Sequence, residues 1–304
     1  MESNRRSFLK HTASLMGIAM LNPSLKGLAN VSKNIQGLAD TSNLTIYQSN
    51  DVDLSFNTSI YHMIKKELNE QETKGILLDA GNLFRLEQLN QETLQSINSI
   101  GYHAVALSAN YLKLGVQPFL NLAKAFNFSF VNCNYILKEE GWNEVVLPYV
   151  ILHTKDLKIG ITGVAENSFN SSIRVENPYK AATRMAKKLK TEDKCDLVIC
   201  LSQLGMEKKK LNSKDLALKS ENIDFVLSTT QGQKLHYPLI LKNKKEQEVI
   251  LTQGGMGGEL VCKNNIGYDQ KKNRNVFSQE FIMPTKSFAS STEIFSKVKQ
   301  LQIV

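Results

Sequence analysis

The sequence contains few cysteines, prolines and tryptophans, so it does not have the composition of a small disulfide-rich or proline-rich protein. Its 304 residues include 4 cysteines, 6 prolines and 1 tryptophan, and no C-x-x-C spacing occurs. It has no internal repeat, no low-complexity segment and no apolar run of about 20 residues, so we expect no stable membrane anchor. The net charge of +8 is small and comes largely from lysines, and we expect no nucleic-acid partner. A hydrophobic content of 42% with 22% charged residues is typical of a globular protein.

The N-terminus carries paired arginines followed by an apolar stretch. Arg5 and Arg6 precede Phe8-Leu9-Lys10, and a modest apolar run covers residues 13–21. This arrangement resembles a twin-arginine export signal, which has the pattern R-R-x-F-L-K. The resemblance implies a signal peptide over residues 1–29, a polar linker over 30–42, and export to the periplasm through the twin-arginine pathway. An amphipathic first helix of the fold is the alternative.

The cysteines show no metal-ligand spacing. Cys133, Cys195, Cys200 and Cys262 lie within or beside apolar runs such as DLVICLSQLG. We expect them to be buried free thiols rather than metal ligands. Export would permit a disulfide, but the sequence does not determine a pairing.

Beyond residue 42, short apolar runs alternate with segments of helical periodicity. The apolar runs predict strands over residues 44–49, 75–81, 103–109, 128–134, 148–154, 157–165, 196–205, 223–230, 248–255 and 258–269. Helical periodicity covers residues 59–71, 90–101, 118–127 and 177–193. Asn90 is a predicted N-cap with Gly101 at the C-terminal end of its helix, and Asn177-Pro178 opens another helix.

This alternation predicts a layered α/β fold with a substantially parallel sheet. Ligands of such folds bind outside the carboxyl ends of the strands, so the turns at those ends are the candidate sites. Read in chain order, they are YQSNDVD, LDAGNLF, LSANYL, LSQLG and LSTTQGQ. None of the 5 histidines, at positions 11, 62, 103, 153 and 236, lies on one of these turns.

The ordered set of turns resembles the metallophosphoesterase (calcineurin-like) domain of bacterial periplasmic 5'-nucleotidases. LKIGITGV between the turns and VILTQGGMGG near the end extend the resemblance over about residues 43–270. It implies two mixed β-sheets packed face to face and flanked by helices. We assign this domain to residues 43–285 and a C-terminal tail or short helix to 286–304.

In that family the corresponding turns carry N-D-x-H, G-D, G-N-H-E, L-S-H and G-H-x-H, which together hold two divalent metals. The metals clamp the phosphate and activate a water for in-line attack. Here Asp51 alone matches a family ligand. The other ligand positions are changed: Asp53 replaces the first histidine, Asn82 the bridging aspartate, Ala109 the metal-binding asparagine, Asn110 the catalytic histidine, Tyr111 the glutamate, Gln203 the histidine of L-S-H, and Thr230 and Gly232 both histidines of G-H-x-H.

These replacements predict that the two-metal centre is largely lost and that no residue is catalytic. We therefore expect no cofactor. The alternative is one divalent cation, Mg²⁺, Mn²⁺ or Ca²⁺, held weakly by Asp51, Asp53 and Asn82, with Gln203 or Asn110 adding a neutral oxygen.

The polar turn residues allow two interpretations. Asn50, Ser108 and Asn110 could bind a ligand, and backbone amides at Gly81 and Gly205 could accept an anion. Alternatively, the same side chains only cap loops and satisfy backbone groups.

Two hypotheses of function follow. The first is an inactive, exported homologue that acts in binding or assembly. The second is a phosphoesterase, acting on nucleotides or other phosphoesters, with a remodelled single-metal site at Asp51 and Asp53. Because family enzymes usually continue into a nucleoside-binding domain, we also expect a separately encoded substrate domain or another periplasmic protein as partner.

Overall fold

Two seven-stranded β-sheets form the centre of the molecule. The computed structural model describes residues 43–52, 63–68, 75–113, 115–154, 156–166, 172–208, 210–230, 235–254 and 260–282, together with the backbone of 32–34. The predicted export signal and C-terminal tail lie outside these described residues.

Sixteen strands occur in the described part of the chain. In chain order they are β1 (Ser32–Asn34), β2 (Asn43–Ser49), β3 (Ile76–Asp79), β4 (Ala104–Ala106), β5 (Ser129–Val131), β6 (Tyr135–Ile136), β7 (Val146–Leu147), β8 (Tyr149–His153), β9 (Lys158–Val164), β10 (Arg174–Val175), β11 (Leu197–Ser202), β12 (Phe225–Ser228), β13 (Leu239–Lys242), β14 (Glu248–Gln253), β15 (Val261–Tyr268) and β16 (Arg274–Ile282).

Both large sheets are mixed. Sheet I has the order β16-β15-β2-β3-β4-β5-β7, with parallel pairing from β2 to β7 and antiparallel pairing of β15 with both β2 and β16. Sheet II has the order β1-β8-β9-β11-β12-β14-β13, with parallel pairing from β9 to β14. β6 and β10 form a separate two-stranded ribbon. The predicted fold class is confirmed.

Helices cover the outer faces of both sheets. They are α1 (Gln91–Ile100), α2 (Val116–Ala123), α3 (Trp142–Val145), α4 (Pro178–Thr191) and α5 (Ser213–Lys219), with 3₁₀ turns at Leu86–Gln88 and Ala109–Leu112 and further helical residues at 63–68. Within the described ranges, no helix combines the length and apolar character needed to cross a membrane.

The predicted helix caps are present. The Asn90 side chain accepts a hydrogen bond from the Thr93 N–H at 2.8 Å, and Gly101 ends α1 in the left-handed conformation at φ 91°. Asn177 caps α4 by accepting from the backbone N–H groups of residues 179 and 180, directly before Pro178. These contacts satisfy N–H groups that a helix leaves without intrahelical partners.

Strand alternation divides the apolar side chains into three layers. In sheet I, Ile46 and Leu78 face the inner layer between the sheets, where they join Ile159 and Ile199 of sheet II. Their neighbours on the other face pack under α1 and α2 with an aromatic cluster of Phe84, Tyr111, Phe119, Phe126, Phe128 and Phe130. Alternate residues of sheet II pack under α4 and α5 together with Cys133, Cys195 and Cys200. All 4 cysteines are buried and free, as predicted.

The two sheets approach closely where β9 crosses β5. The Cys133 N–H donates to the carbonyl of Gly163 at 2.8 Å, and a Cβ on Gly163 would overlap the carbonyl oxygen of Val131. A side chain at this position therefore cannot fit without moving backbone. The contact fixes the distance between the sheets beside the site.

We predict that Gly163→Ala destabilises the protein by about 1–3 kcal/mol or more, because the added methyl group overpacks the space between the sheets. Urea unfolding followed by circular dichroism measures the loss.

Gly101→Ala is the control, since a Cβ there meets nothing within 4 Å and only the left-handed backbone is strained. We expect it to cost about 1 kcal/mol. Equal losses in both variants would contradict a steric limit at Gly163.

Candidate functional site

Five turns meet at the carboxyl ends of the parallel strands. They bring together Asp51 after β2, Asn82 after β3, Ser108 and Asn110 after β4, Gln203 after β11 and Thr230 after β12. The sequence-predicted residues Asp53 and Gly232 lie outside the described residues. Both sheets contribute to this edge, because the strand ends point the same way in each.

The first two turns are held in a conformation that non-glycine residues rarely adopt. Asp51 has φ 52° and Asn82 has φ 60°, both in the left-handed region that asparagine and aspartate tolerate best. The Asp51 N–H donates to the Gly81 carbonyl at 2.9 Å, and the Ala80 N–H donates to the Ser49 carbonyl at 2.9 Å. The backbones of the two turns are thereby fastened to each other.

The Asp51 carboxylate is surrounded by hydrogen-bond donors. Its Oδ1 accepts from Asn82 Nδ2 at 2.7 Å. Its Oδ2 accepts from Thr230 Oγ1 at 2.8 Å, from the Thr230 N–H at 3.4 Å and from Asn50 Nδ2 at 3.2 Å. Both oxygens of the carboxylate therefore accept hydrogen bonds, with three of the four contacts on Oδ2.

Asn82 uses both ends of its carboxamide. While Nδ2 donates to Asp51, Oδ1 accepts from Ser108 Oγ at 2.6 Å and from Asn110 Nδ2 at 2.9 Å. Ser108 Oγ in turn accepts from the Asn110 N–H at 3.2 Å and so caps the 3₁₀ turn. Asn50, Asp51, Asn82, Ser108, Asn110 and Thr230 therefore form one continuous set of contacts, which we call the turn network.

Gln203 fills the space over Gly81 instead of reaching the carboxylate of Asp51. Its Nε2 donates to the Ala80 carbonyl, and only 5% of the residue is exposed. A Cβ on Gly81, which has φ 125°, would overlap the Gln203 amide group. The glycine is required here because the glutamine side chain of sheet II packs directly on the turn of sheet I.

Asp79, at the end of β3, lies directly beneath the turn network and was not predicted. It is fully buried, and its oxygens accept from Ser49 Oγ and from the Gly81 N–H, each at 2.6 Å. Ser49 Oγ also lies 2.9 Å from the hydroxyl of Tyr102. Burial raises the pKa of the Asp79 carboxyl to about 7 despite these bonds. A carboxylate ending the otherwise apolar strand ILLD was the available signal in the sequence.

A cavity of about 570 Å³ opens beside the turn network. Asp51, Asn82 and Asn110 line it, with buried Phe84 and Tyr111, whose rings stack 4.7 Å apart. Its volume falls in the range of small-molecule sites, about 300–1,000 Å³. The cavity places the predicted residues Asn82 and Asn110 on a surface that a small molecule can reach.

The described residues of the site do not fit a two-metal centre. Within the described ranges, no group of three His, Cys, Asp or Glu side chains lies close enough to hold a metal ion. Asp51 is the one carboxylate in the turn network, and amide and hydroxyl donors surround it. The N–H and O–H groups that face the carboxylate are not metal ligands, whereas two divalent ions require several anionic oxygen ligands.

The histidines lie away from the turn network wherever they are described. His103 Nδ1, at the start of β4, accepts from the Leu77 N–H at 3.0 Å. His153 ends β8, and His236 lies in the loop before β13. His11 and His62 are outside the described residues.

Comparison with known proteins identifies the fold. No protein-family model matches the chain. Snake venom 5'-nucleotidases from Gloydius brevicauda and Crotalus adamanteus are each 22% identical to it in an alignment of 267 residues that covers 78% of this chain and 44% of each relative. The chain therefore spans less than half the length of these curated relatives.

Solved structures agree with the sequence comparison. A 5'-nucleotidase precursor from Thermus thermophilus superposes with a TM-score of 0.68 at 18% identity, covering 86% of this chain and 58% of that one. The calcineurin-like phosphoesterase YfkN from Bacillus subtilis superposes with a TM-score of 0.65 at 18% identity, covering 86% and 97%. The predicted resemblance is confirmed: this chain has the calcineurin-like metallophosphoesterase fold of the 5'-nucleotidases.

We predict that Asp79 makes the stability of the protein depend on pH near neutrality. Its pKa is raised on folding, from 3.8 to about 7, so the folded state binds the proton more tightly than the unfolded state. The stabilisation is complete below the unfolded pKa and is lost as the pH rises through 7. Between pH 6 and pH 8 this group alone removes about 1.4 kcal/mol of unfolding free energy.

Asp79→Asn mimics the protonated carboxyl and should remove that part of the pH dependence. Urea unfolding of both proteins at pH 6 and pH 8 measures the difference. Asp156→Asn, the same substitution in the loop before β9, is the control for removing one carboxyl group elsewhere in the protein. Identical pH profiles for wild type and Asp79→Asn would contradict the assignment.

Proposed function

We propose that this protein is a metallophosphoesterase-like protein that does not hydrolyse phosphoesters and acts in binding or assembly. The observation that carries the proposal is that both oxygens of the Asp51 carboxylate accept hydrogen bonds from neighbouring side chains, those of Asn82, Thr230 and Asn50. In a two-metal hydrolase, ligand oxygens at these turns must face cations. Here the surviving carboxylate faces N–H and O–H donors.

The replacements also remove the groups that would move protons. Two-metal hydrolysis needs anionic ligands to hold both cations and to lower the pKa of a bound water. Asn110, at the position of the family's catalytic histidine, donates to Asn82 and has no titratable group. The turn network therefore offers hydrogen bonds to a ligand, and Asp51 is its one titratable side chain.

Binding is supported by the cavity beside the turn network. Asn110 is exposed there and, like any carboxamide, offers both a donor and an acceptor. Ser108 is almost fully buried and Asn50 fully so, which leaves Asn110 as the accessible member of the predicted ligand-binding set.

We further propose that the protein works in the periplasm with a separately encoded protein. The twin-arginine pattern at residues 5–10 supports export of the folded chain. The venom 5'-nucleotidases are more than twice as long as the segment matched here, so their remaining length lies outside the resemblance. Co-purification from the periplasmic fraction tests this partner.

The second candidate is a weak single-metal phosphoesterase using Asp51 and Asp53. One observation favours it: Asn50 Oδ1 is buried without a hydrogen-bond partner among the described residues. A neutral oxygen next to a carboxylate suits Mg²⁺ or Ca²⁺.

We predict that the protein, purified without chelator, contains no stoichiometric metal and does not hydrolyse a nucleotide or a generic phosphomonoester with added Mn²⁺ or Mg²⁺. Elemental analysis and phosphate release measure the two properties. The physical reason is that no two anionic ligands of the turn network face the same point.

Asp51→Ala separates the two candidates. For the binding protein, the substitution leaves the hydrolysis rate at background and lowers stability by about 1–3 kcal/mol, because four donors lose their acceptor. Asp215→Ala, on the exposed face of α5, is the matched control. Metal-dependent turnover in wild type that Asp51→Ala abolishes would establish the second candidate instead.

A further inference from the structure

We infer that the Asn82 carboxamide takes the structural place of a bound cation: it joins the strand ends of sheet I through Asp51 and Ser108, and Asp51 extends the connection to sheet II through Thr230. This inference rests on the proposed function, since it assumes that wild type needs no metal at these turns. The loss of metal ligands alone does not require Asn82 to have a structural role. We assign it one: its hydrogen bonds hold the turns in place without a metal.

The first step is the problem that a missing cation creates. A partly buried carboxylate needs a compensating charge or several hydrogen bonds. Asp51 is such a group, at a left-handed turn that approaches Asn82 and Thr230. A strained conformation of this kind persists only where surrounding contacts determine it. Some group must therefore hold the carboxylate in place.

The second step is that Asn82 does so in two directions. Its Nδ2 donates to Asp51 after β2, and its Oδ1 gathers the donors of Ser108 and Asn110 after β4. Asp51 passes the connection to Thr230 after β12 in sheet II. A cation joins neighbouring chain segments by collecting acceptors. Asn82 joins them by donating to one turn and accepting from another.

The third step is that the amide of Asn82 donates and the carboxylate of Asp51 accepts, so substitutions can remove or exchange these two roles. The Asn82→Asp substitution would keep the acceptor for Ser108 and Asn110 but turn an oxygen toward Asp51 Oδ1, where the present distance is 2.7 Å. Two carboxylates at that distance repel each other unless a proton or a cation lies between them. Exchanging both residues restores one donor and one acceptor.

The experiment compares wild type with Asn82→Asp and the double variant Asp51→Asn/Asn82→Asp. Thermal unfolding is measured in EDTA and in millimolar Mg²⁺, Mn²⁺ or Ca²⁺. We expect the Tm of wild type to be the same in all conditions. Asn82→Asp in EDTA should lose about 5–10 °C and recover most of it when a divalent cation is added.

The double variant should regain most of the lost Tm in EDTA, with no response to cations. It also keeps the inference testable if Asn82→Asp alone fails to fold. Asn127→Asp, which adds the same charge at the opposite end of sheet I just before β5, is the matched control and should show neither the loss nor the rescue.

The outcomes distinguish this inference from the proposed function. If Asn82→Asp is as stable as wild type in EDTA, or the double variant is no better than the single one, the Asn82 inference is overturned while the absence of hydrolysis can still hold. If cations raise the Tm of wild type itself, the inference fails at its first assumption. Phosphate release is measured separately and decides the proposed function.

Discussion

The hydrogen bond from Asn82 Nδ2 to the Asp51 carboxylate is the contact on which the architecture of the site depends. It joins the turns that follow two neighbouring parallel strands, at a point where both residues occupy left-handed backbone. Each partner then extends the connection, Asp51 to Thr230 in sheet II and Asn82 to the turn after β4. The carboxyl edge of the sandwich is thus held together by neutral donors around one anion.

Residues packed around the Gly81 turn support the shape of this edge. Gln203 from sheet II fills the space over Gly81, and Asp79 receives the Gly81 N–H from below. The turn is fixed by packing and hydrogen bonding on both sides before any ligand is considered. Gly163 sets the spacing of the sheets beside the same edge, so the core supports the position that the Asn82–Asp51 hydrogen bond holds.

Sequence reasoning predicted the features that depend on local chemistry. The caps at Asn90 and Asn177 and the alternation of strands and helices follow from patterns that one segment carries alone. α5 was not predicted, since its seven residues give little periodicity. The edge strand β16 was also missed, because its residues are partly buried or exposed and its sequence mixes polar and apolar side chains. At the site, the resemblance pointed to turns whose described residues lie at one edge of the two sheets. It could not reveal that Asn82 donates to Asp51, because the direction of an amide depends on neighbours distant in sequence.

The turns of the family and the turns of this protein differ in the sign of the charge at their centre. A metallophosphoesterase edge concentrates acceptors around positive charge, whereas the described edge of this protein concentrates donors around negative charge. Replacing one ligand alone would leave a buried acceptor or donor without a partner, which costs more than replacing both members of a pair. Asn82, Ser108, Asn110 and Thr230 form a set in which each donor has an acceptor.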